Sequence, residues 1–78
     1  MAETYRVVGY GAERGADPII DTVVEDVTGE GPEFYAFKAL HADGVVCALI
    51  WREGIDEPPV FTQCDPGVNL HDVIVVLG

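Results

Sequence analysis

The amino-acid sequence predicts an α+β domain in which a single helix packs on a four- to five-stranded, mostly antiparallel sheet. Three observations support this class: β-branched and aromatic runs typical of strands, one segment with helical spacing, and glycine or proline between the segments. With 78 residues, the chain has room for a single domain over residues 1–78. The predicted order of elements is β-α-β-β-(β)-β.

The first strand is predicted at residues 5–10, where β-branched and aromatic side chains dominate. The glycines that follow indicate a loop over residues 11–16. Residues 9–15 contain a Gly-x-Gly-x-x-x-Gly spacing, but its third glycine is displaced by one residue from the nucleotide-binding pattern. We therefore interpret this segment as a flexible loop and expect no cofactor there.

A helix is predicted over residues 17–29, where apolar pairs alternate with polar pairs. Asp17 is a suitable N-cap, and Pro18 suits the first helical position. A strand is disfavoured because it would place Val23 on one face with two acidic residues, which makes no sensible core. In a helix, one face instead collects four apolar side chains: Ile20, Val23, Val24 and Val27.

A β-hairpin is predicted after the helix. Residues 33–41 and 45–52 have the composition of strands, and Asp43-Gly44 between them is typical of a type I′ turn. Both faces of this hairpin are apolar, as in strands central to a sheet. A short strand is expected at residues 60–64, and a buried strand at the β-branched run 73–77.

Charge excludes several functions. The chain has 14 acidic and 4 basic residues and a net charge of −10, so direct binding to nucleic acid or to anionic membranes is disfavoured. No apolar run is long enough to span a bilayer, and no secretory signal is visible. We expect a cytoplasmic protein with two reduced cysteines, Cys47 and Cys64; a single bridge between them is the lesser alternative.

Candidate catalytic side chains are few. The chain contains no serine, which excludes a Ser-His-Asp arrangement, and its histidines, His41 and His71, each lie near an aspartate in the sequence. We interpret both histidines as surface residues. The expectation is a protein without enzymatic activity, metal or cofactor.

The acidic residues are the most informative feature. In the predicted helix, Asp17, Asp21 and Glu25 recur every four residues, about 6 Å apart along the axis, which is close to the spacing of phosphates along a nucleic-acid strand. Asp26 and Glu30 add a neighbouring row. The candidate partner-binding residues include a second cluster further along the chain, and the full set is Asp17, Asp21, Glu25, Asp26, Glu30, Glu53, Asp56 and Glu57.

In size and charge the chain resembles the small phage-encoded inhibitors of bacterial defence, the anti-CRISPR proteins and other DNA mimics. The resemblance is clearest at Asp17, Asp21, Glu25 and Asp26. It implies a non-enzymatic inhibitor that binds a CRISPR effector subunit, or another cationic nucleic-acid-binding protein, in the cytoplasm of a bacterial host cell. Its acidic residues would pair with the lysines and arginines that normally hold phosphate.

The acidity also fits a solvated surface with no partner, or adaptation to concentrated salt, and both interpretations stay open. The alternative function is a small structural or subunit-interaction domain, monomeric or homodimeric. Such a domain would associate through the second apolar face of the predicted hairpin.

Overall fold

The computed structural model describes residues 3–52 and 59–73. Within these ranges one helix packs against a four-stranded antiparallel sheet, which confirms the α+β class. The strands lie side by side in the order β2-β1-β3-β4. The elements in chain order are β1 (Glu3–Tyr10), β2 (Ile20–Asp26), α1 (Pro32–Leu40), β3 (Cys47–Arg52), β4 (Phe61–Cys64) and a 3-10 turn, Leu70–Asp72.

The hydrophobic core lies between α1 and one face of the sheet. Helix α1 contacts β1, β3 and β4. Two alanines of the helix, Ala36 and Ala39, are buried there, and their small side chains allow the helix to lie close to the strands. The buried residues of this core are Tyr5, Val7, Ala36, Ala39, Ala48 and Ile50.

The predicted helix over residues 17–29 is wrong, because most of this segment forms strand β2 at the sheet edge. Its β-branched side chains favour strand geometry. As foreseen for a strand, Asp21, Val23 and Glu25 share one face. That face is exposed to solvent and requires no core, which removes the objection to a strand.

The strand predicted at residues 33–41 is also wrong, because α1 forms there. Pro32 occupies the first helical turn, where its missing N–H costs no hydrogen bond. Alanine, leucine, glutamate and lysine in this segment favour a helix. The more buried side chains recur at the helical spacing of three and four residues: Pro32, Tyr35, Ala36, Ala39 and Leu40.

Asp43-Gly44 forms a turn, but this turn joins α1 to β3 and not two strands of a hairpin. Gly44 has a φ of 84°, a conformation that favours glycine. The predicted hairpin over residues 33–52, and its second apolar face, therefore do not exist. Helix α1 follows two strands, so the described order is β-β-α-β-β and not the predicted one.

Three predicted strands are confirmed: residues 5–10 lie in β1, residues 45–52 contain β3 and residues 60–64 contain β4. Each has a composition that favours strands over helices. The strand predicted at residues 73–77 lies, apart from its first residue, outside the described residues.

The prediction of two reduced cysteines is wrong. Cys47 of β3 lies directly opposite Cys64 of β4, with the two Cα atoms 4.0 Å apart, and the two residues form a disulfide. The pairing depends on the register between the strands, which the spacing of the cysteines in the sequence does not give. Since the two positions are 17 residues apart, the bond closes a loop and attaches edge strand β4 to β3.

We expect reduction of the disulfide to lower the free energy of unfolding by about 3 kcal/mol, because it releases a loop of this length in the unfolded chain. The measurement is urea unfolding with and without reductant. A Cys47→Ala/Cys64→Ala double variant is the control, and its unfolding should not respond to reductant. Free thiols are titrated in the wild-type protein after unfolding without reductant. Detection of two free thiols per chain would contradict the pairing.

Candidate partner-binding surface

Asp21 is held by an arginine on the neighbouring strand. Its carboxylate accepts hydrogen bonds from Arg6 Nε at 3.0 Å and from Arg6 Nη2 at 2.9 Å. These hydrogen bonds are the main reason that the pKa of Asp21 is lowered from its ordinary value. The Arg6 guanidinium also lies 5.6 Å from the centre of the Trp51 ring. Asp21 is therefore exposed, but much of its charge is already compensated.

Glu25 lies on the same exposed face of β2 as Asp21. Four residues along a strand span about 13 Å, so the two carboxylates have roughly twice the spacing predicted for a helix. The predicted match to successive phosphates is therefore wrong, since it depended on the helical rise. Asp17 is exposed in the loop before β2, and Glu30 is exposed in the loop after it.

Asp26 differs from the other acidic residues of this region because it is 5% exposed and faces the helix side of the sheet. Its Oδ1 accepts hydrogen bonds from the Glu30 backbone N–H at 3.0 Å and from the Tyr35 hydroxyl at 2.9 Å. Its Oδ2 accepts a hydrogen bond from the Gly31 backbone N–H at 3.0 Å. Both oxygens are thus occupied, and Asp26 has a structural function.

The same contacts change two pKa values. The pKa of Asp26 is lowered, chiefly by the hydrogen bond from the Gly31 N–H, since this bond stabilises the charged carboxylate. The pKa of Tyr35 is raised, chiefly by burial and further by its hydrogen bond to Asp26. The pair therefore persists with Asp26 ionised and Tyr35 protonated near neutral pH.

We expect Asp26→Asn to lower Tm by at least about 5 °C at neutral pH, because an amide cannot accept on both sides. The lowered pKa also predicts a pH dependence. Asp26 contributes its full stabilisation of the fold at pH values above the ordinary aspartate pKa of 3.8. This stabilisation is lost as pH falls through the lower pKa of Asp26 in the folded protein. The wild-type protein should therefore lose more stability on acidification than Asp26→Asn does.

The control for this prediction is Asp72→Asn, which makes the same change at an exposed position. Thermal unfolding followed by circular dichroism across the acidic range measures both variants. Equal Tm values for the two variants at neutral pH would contradict the structural role of Asp26.

Among the described residues, strand β2 has a neighbour on one side only, because it pairs with β1 and is the first strand of the sheet. Helix α1 covers β1, β3 and β4 and leaves an open groove beside β2. This groove has a volume of about 220 Å³ and is largely apolar. It is lined by Val7, Ile20, Thr22, Val24, Tyr35, Lys38 and Ala39.

The structure thus groups some predicted site residues and separates others. Asp21 and Glu25 share the outer face of β2, Asp17 and Glu30 lie in the loops at its ends, and Asp26 points to the other side. The remaining members of the predicted set, Glu53, Asp56 and Glu57, lie outside the described residues.

Sequence reasoning missed the roles of Arg6 and Asp26. Nothing near Arg6 in the sequence indicates Asp21, which is 15 residues away. For Asp26 a local signal exists, because it lies shortly before Gly31-Pro32, a pattern suited to a helix start. Its carboxylate accepts hydrogen bonds from the backbone N–H groups of the residues four and five positions later, in the turn leading into the helix.

Comparison of the chain with protein-family models, with curated proteins and with solved structures finds no match. Among the described residues, no three His, Cys, Asp or Glu side chains lie close enough together to hold a metal ion. In the same part of the chain, no helix has the length and apolar character needed to cross a membrane.

Proposed function

We propose that this protein is a non-enzymatic binding protein that inhibits a nucleic-acid-binding complex, such as a CRISPR effector, by presenting an acidic surface in place of nucleic acid. The supporting observation is an excess of negative charge that the chain does not neutralise internally. It has 14 acidic and 4 basic residues. Two of the basic residues, Arg6 and Arg52, are already engaged by Asp21 and Glu3.

The surface proposed to bind the partner consists of Asp17, Asp21, Glu25 and Glu30, which we call the β2 acidic surface. Within the described ranges, Asp17, Glu25 and Glu30 are exposed and form no ion pair. Long-range attraction from such a surface accelerates the approach of a cationic partner and disfavours anionic ones. The wide spacing of the carboxylates suits an extended basic region better than successive phosphate-binding sites.

The proposed target would lie in the cytoplasm of a bacterial host cell, where cellular reductants keep most thiols reduced. The disulfide between Cys47 and Cys64 would be open there, and β4 would be held by backbone hydrogen bonds and side-chain packing. The reduced protein must therefore stay folded and bind its target. Loss of folding on reduction would contradict a cytoplasmic role.

The alternative function is a small structural or subunit-interaction domain whose acidity serves solubility or salt adaptation. One observation favours it: Phe34 and Phe37, three residues apart on α1, are exposed at 37% and 56%. Light scattering at high protein concentration separates the two functions, because a subunit-interaction domain that pairs with itself would form a homodimer.

We expect Glu25→Lys/Glu30→Lys to abolish binding to a purified CRISPR effector complex or another cationic bacterial nucleic-acid-binding protein, while folding is retained. Both positions are exposed, so the substitutions reverse charge without disturbing the core. Binding is measured by co-precipitation with a panel of such proteins at low and high salt, and inhibition by competition with their nucleic acid. The interaction should weaken as salt rises.

The matched control is Asp43→Lys/Asp72→Lys, which changes the net charge equally at exposed positions outside the β2 acidic surface. This control should retain most of the binding. If both double variants lost binding equally, the assignment of binding to the β2 acidic surface would be contradicted. Wild-type binding that is absent, or indifferent to salt, would contradict the function.

A further inference from the structure

The outer edge of β2 combines three features that together suit one kind of partner. As an edge strand, β2 directs the N–H and C=O groups of alternate residues away from β1. Its seven residues are long enough for an added strand. The side chains on its two faces differ in chemistry, and each face selects a different type of side chain in the partner.

The face of β2 toward α1 selects apolar side chains. Ile20, Thr22 and Val24 form one wall of the open groove, and α1 forms the other. An added strand would place alternate side chains beside these three residues and over the groove. Lys38 lines the helix side of the groove, so cationic side chains of the partner are disfavoured there.

The opposite face of β2 selects basic side chains. Asp21, Val23 and Glu25 alternate along it, and Val23 is 52% exposed between the two carboxylates. Side chains of an added strand on this face would lie beside Glu25 and beside Asp21, which Arg6 only partly compensates. Opposite charges on neighbouring strands stabilise the pairing.

A second copy of this chain is a poor occupant. In the antiparallel register that pairs all of β2 with its copy, Asp21 would lie directly opposite Glu25 of the copy, and Glu25 opposite Asp21 of the copy. Like charges in directly opposed positions destabilise a sheet. The acidic residues therefore protect this edge from self-association and leave it open to a basic strand.

We propose that the β2 edge binds an extended segment of a cationic protein, in which apolar and basic side chains alternate, by adding it to the sheet as a fifth strand of the described part. The apolar side chains enter the groove beside α1, and the basic ones face Asp21 and Glu25. This inference rests on the proposed function, since it specifies how the β2 acidic surface engages its partner. Backbone hydrogen bonds supply affinity, and the alternation supplies specificity.

The test uses the 78-residue chain and a synthetic peptide that alternates valine and lysine over seven residues, the length of β2. A peptide of the same composition with its lysines in one block is the comparison. The alternating peptide should bind at least about tenfold more tightly, since several cross-strand pairs are lost in the block peptide. It should also slow hydrogen exchange at β2 backbone amides.

Two pairs of variants make the test specific. Glu25→Gln should weaken binding of the alternating peptide about threefold. Glu33→Gln makes the same charge change on α1 and should weaken this binding less. Thr22→Tyr fills the groove with a residue that favours strands, and it should reduce binding at least about tenfold. Thr62→Tyr, on the distant edge strand β4, should leave binding unchanged.

The outcomes separate this inference from the proposed function. The two peptides could bind equally and in a salt-sensitive way, with no slowing of hydrogen exchange at β2 amides. That result would overturn strand addition and leave a binding function based on surface charge. Failure of both peptides to bind at low salt would contradict both. If the peptide slowed hydrogen exchange only at β4 amides, the assignment of the binding site to β2 would be overturned.

Discussion

The carboxylate of Asp26 accepts hydrogen bonds from the backbone N–H groups of Glu30 and Gly31 and from the Tyr35 hydroxyl, and the position of the helix depends on these bonds. A buried carboxylate is stable only when its oxygens are satisfied, so the contacts hold the end of β2 against the start of α1. From this starting point α1 runs across β1, β3 and β4. Between α1 and β2 it leaves an open groove.

The two edges of the sheet differ as a result. The β4 edge is attached to β3 by the disulfide between Cys47 and Cys64. The β2 edge has an apolar groove on one face and carboxylates on the other, and no disulfide joins it to the rest of the described part. The carboxylates of Asp21 and Glu25 thus lie on the strand that forms this edge of the described sheet. In the proposed strand addition, this one strand would supply both affinity, through its backbone, and specificity, through its side chains.

The α+β class and three strands could be predicted because runs of β-branched and aromatic residues fit a pleated, half-buried surface almost anywhere in a sheet. The exchange of helix and strand between residues 17–29 and 33–41 has a physical cause. An edge strand with one exposed face tolerates pairs of adjacent polar residues. Such pairs, alternating with apolar pairs, give the same three- and four-residue spacing as an amphipathic helix. Conversely, α1 contains three aromatic residues, Phe34, Tyr35 and Phe37, which suggested a strand that does not form; only Tyr35 packs against the core.

The sequence by itself determined the negative charge and the abundance of strand-forming residues, since these follow from composition. Only the tertiary structure decided which acidic residues remain available. Asp21 and Asp26 look equivalent in the sequence, yet one is held by Arg6 and the other by the helix start. Likewise, the cysteine pairing followed from the strand register. In each case the partner is brought close by chain folding, because hydrogen bonds, ion pairs and disulfides depend on distance in space.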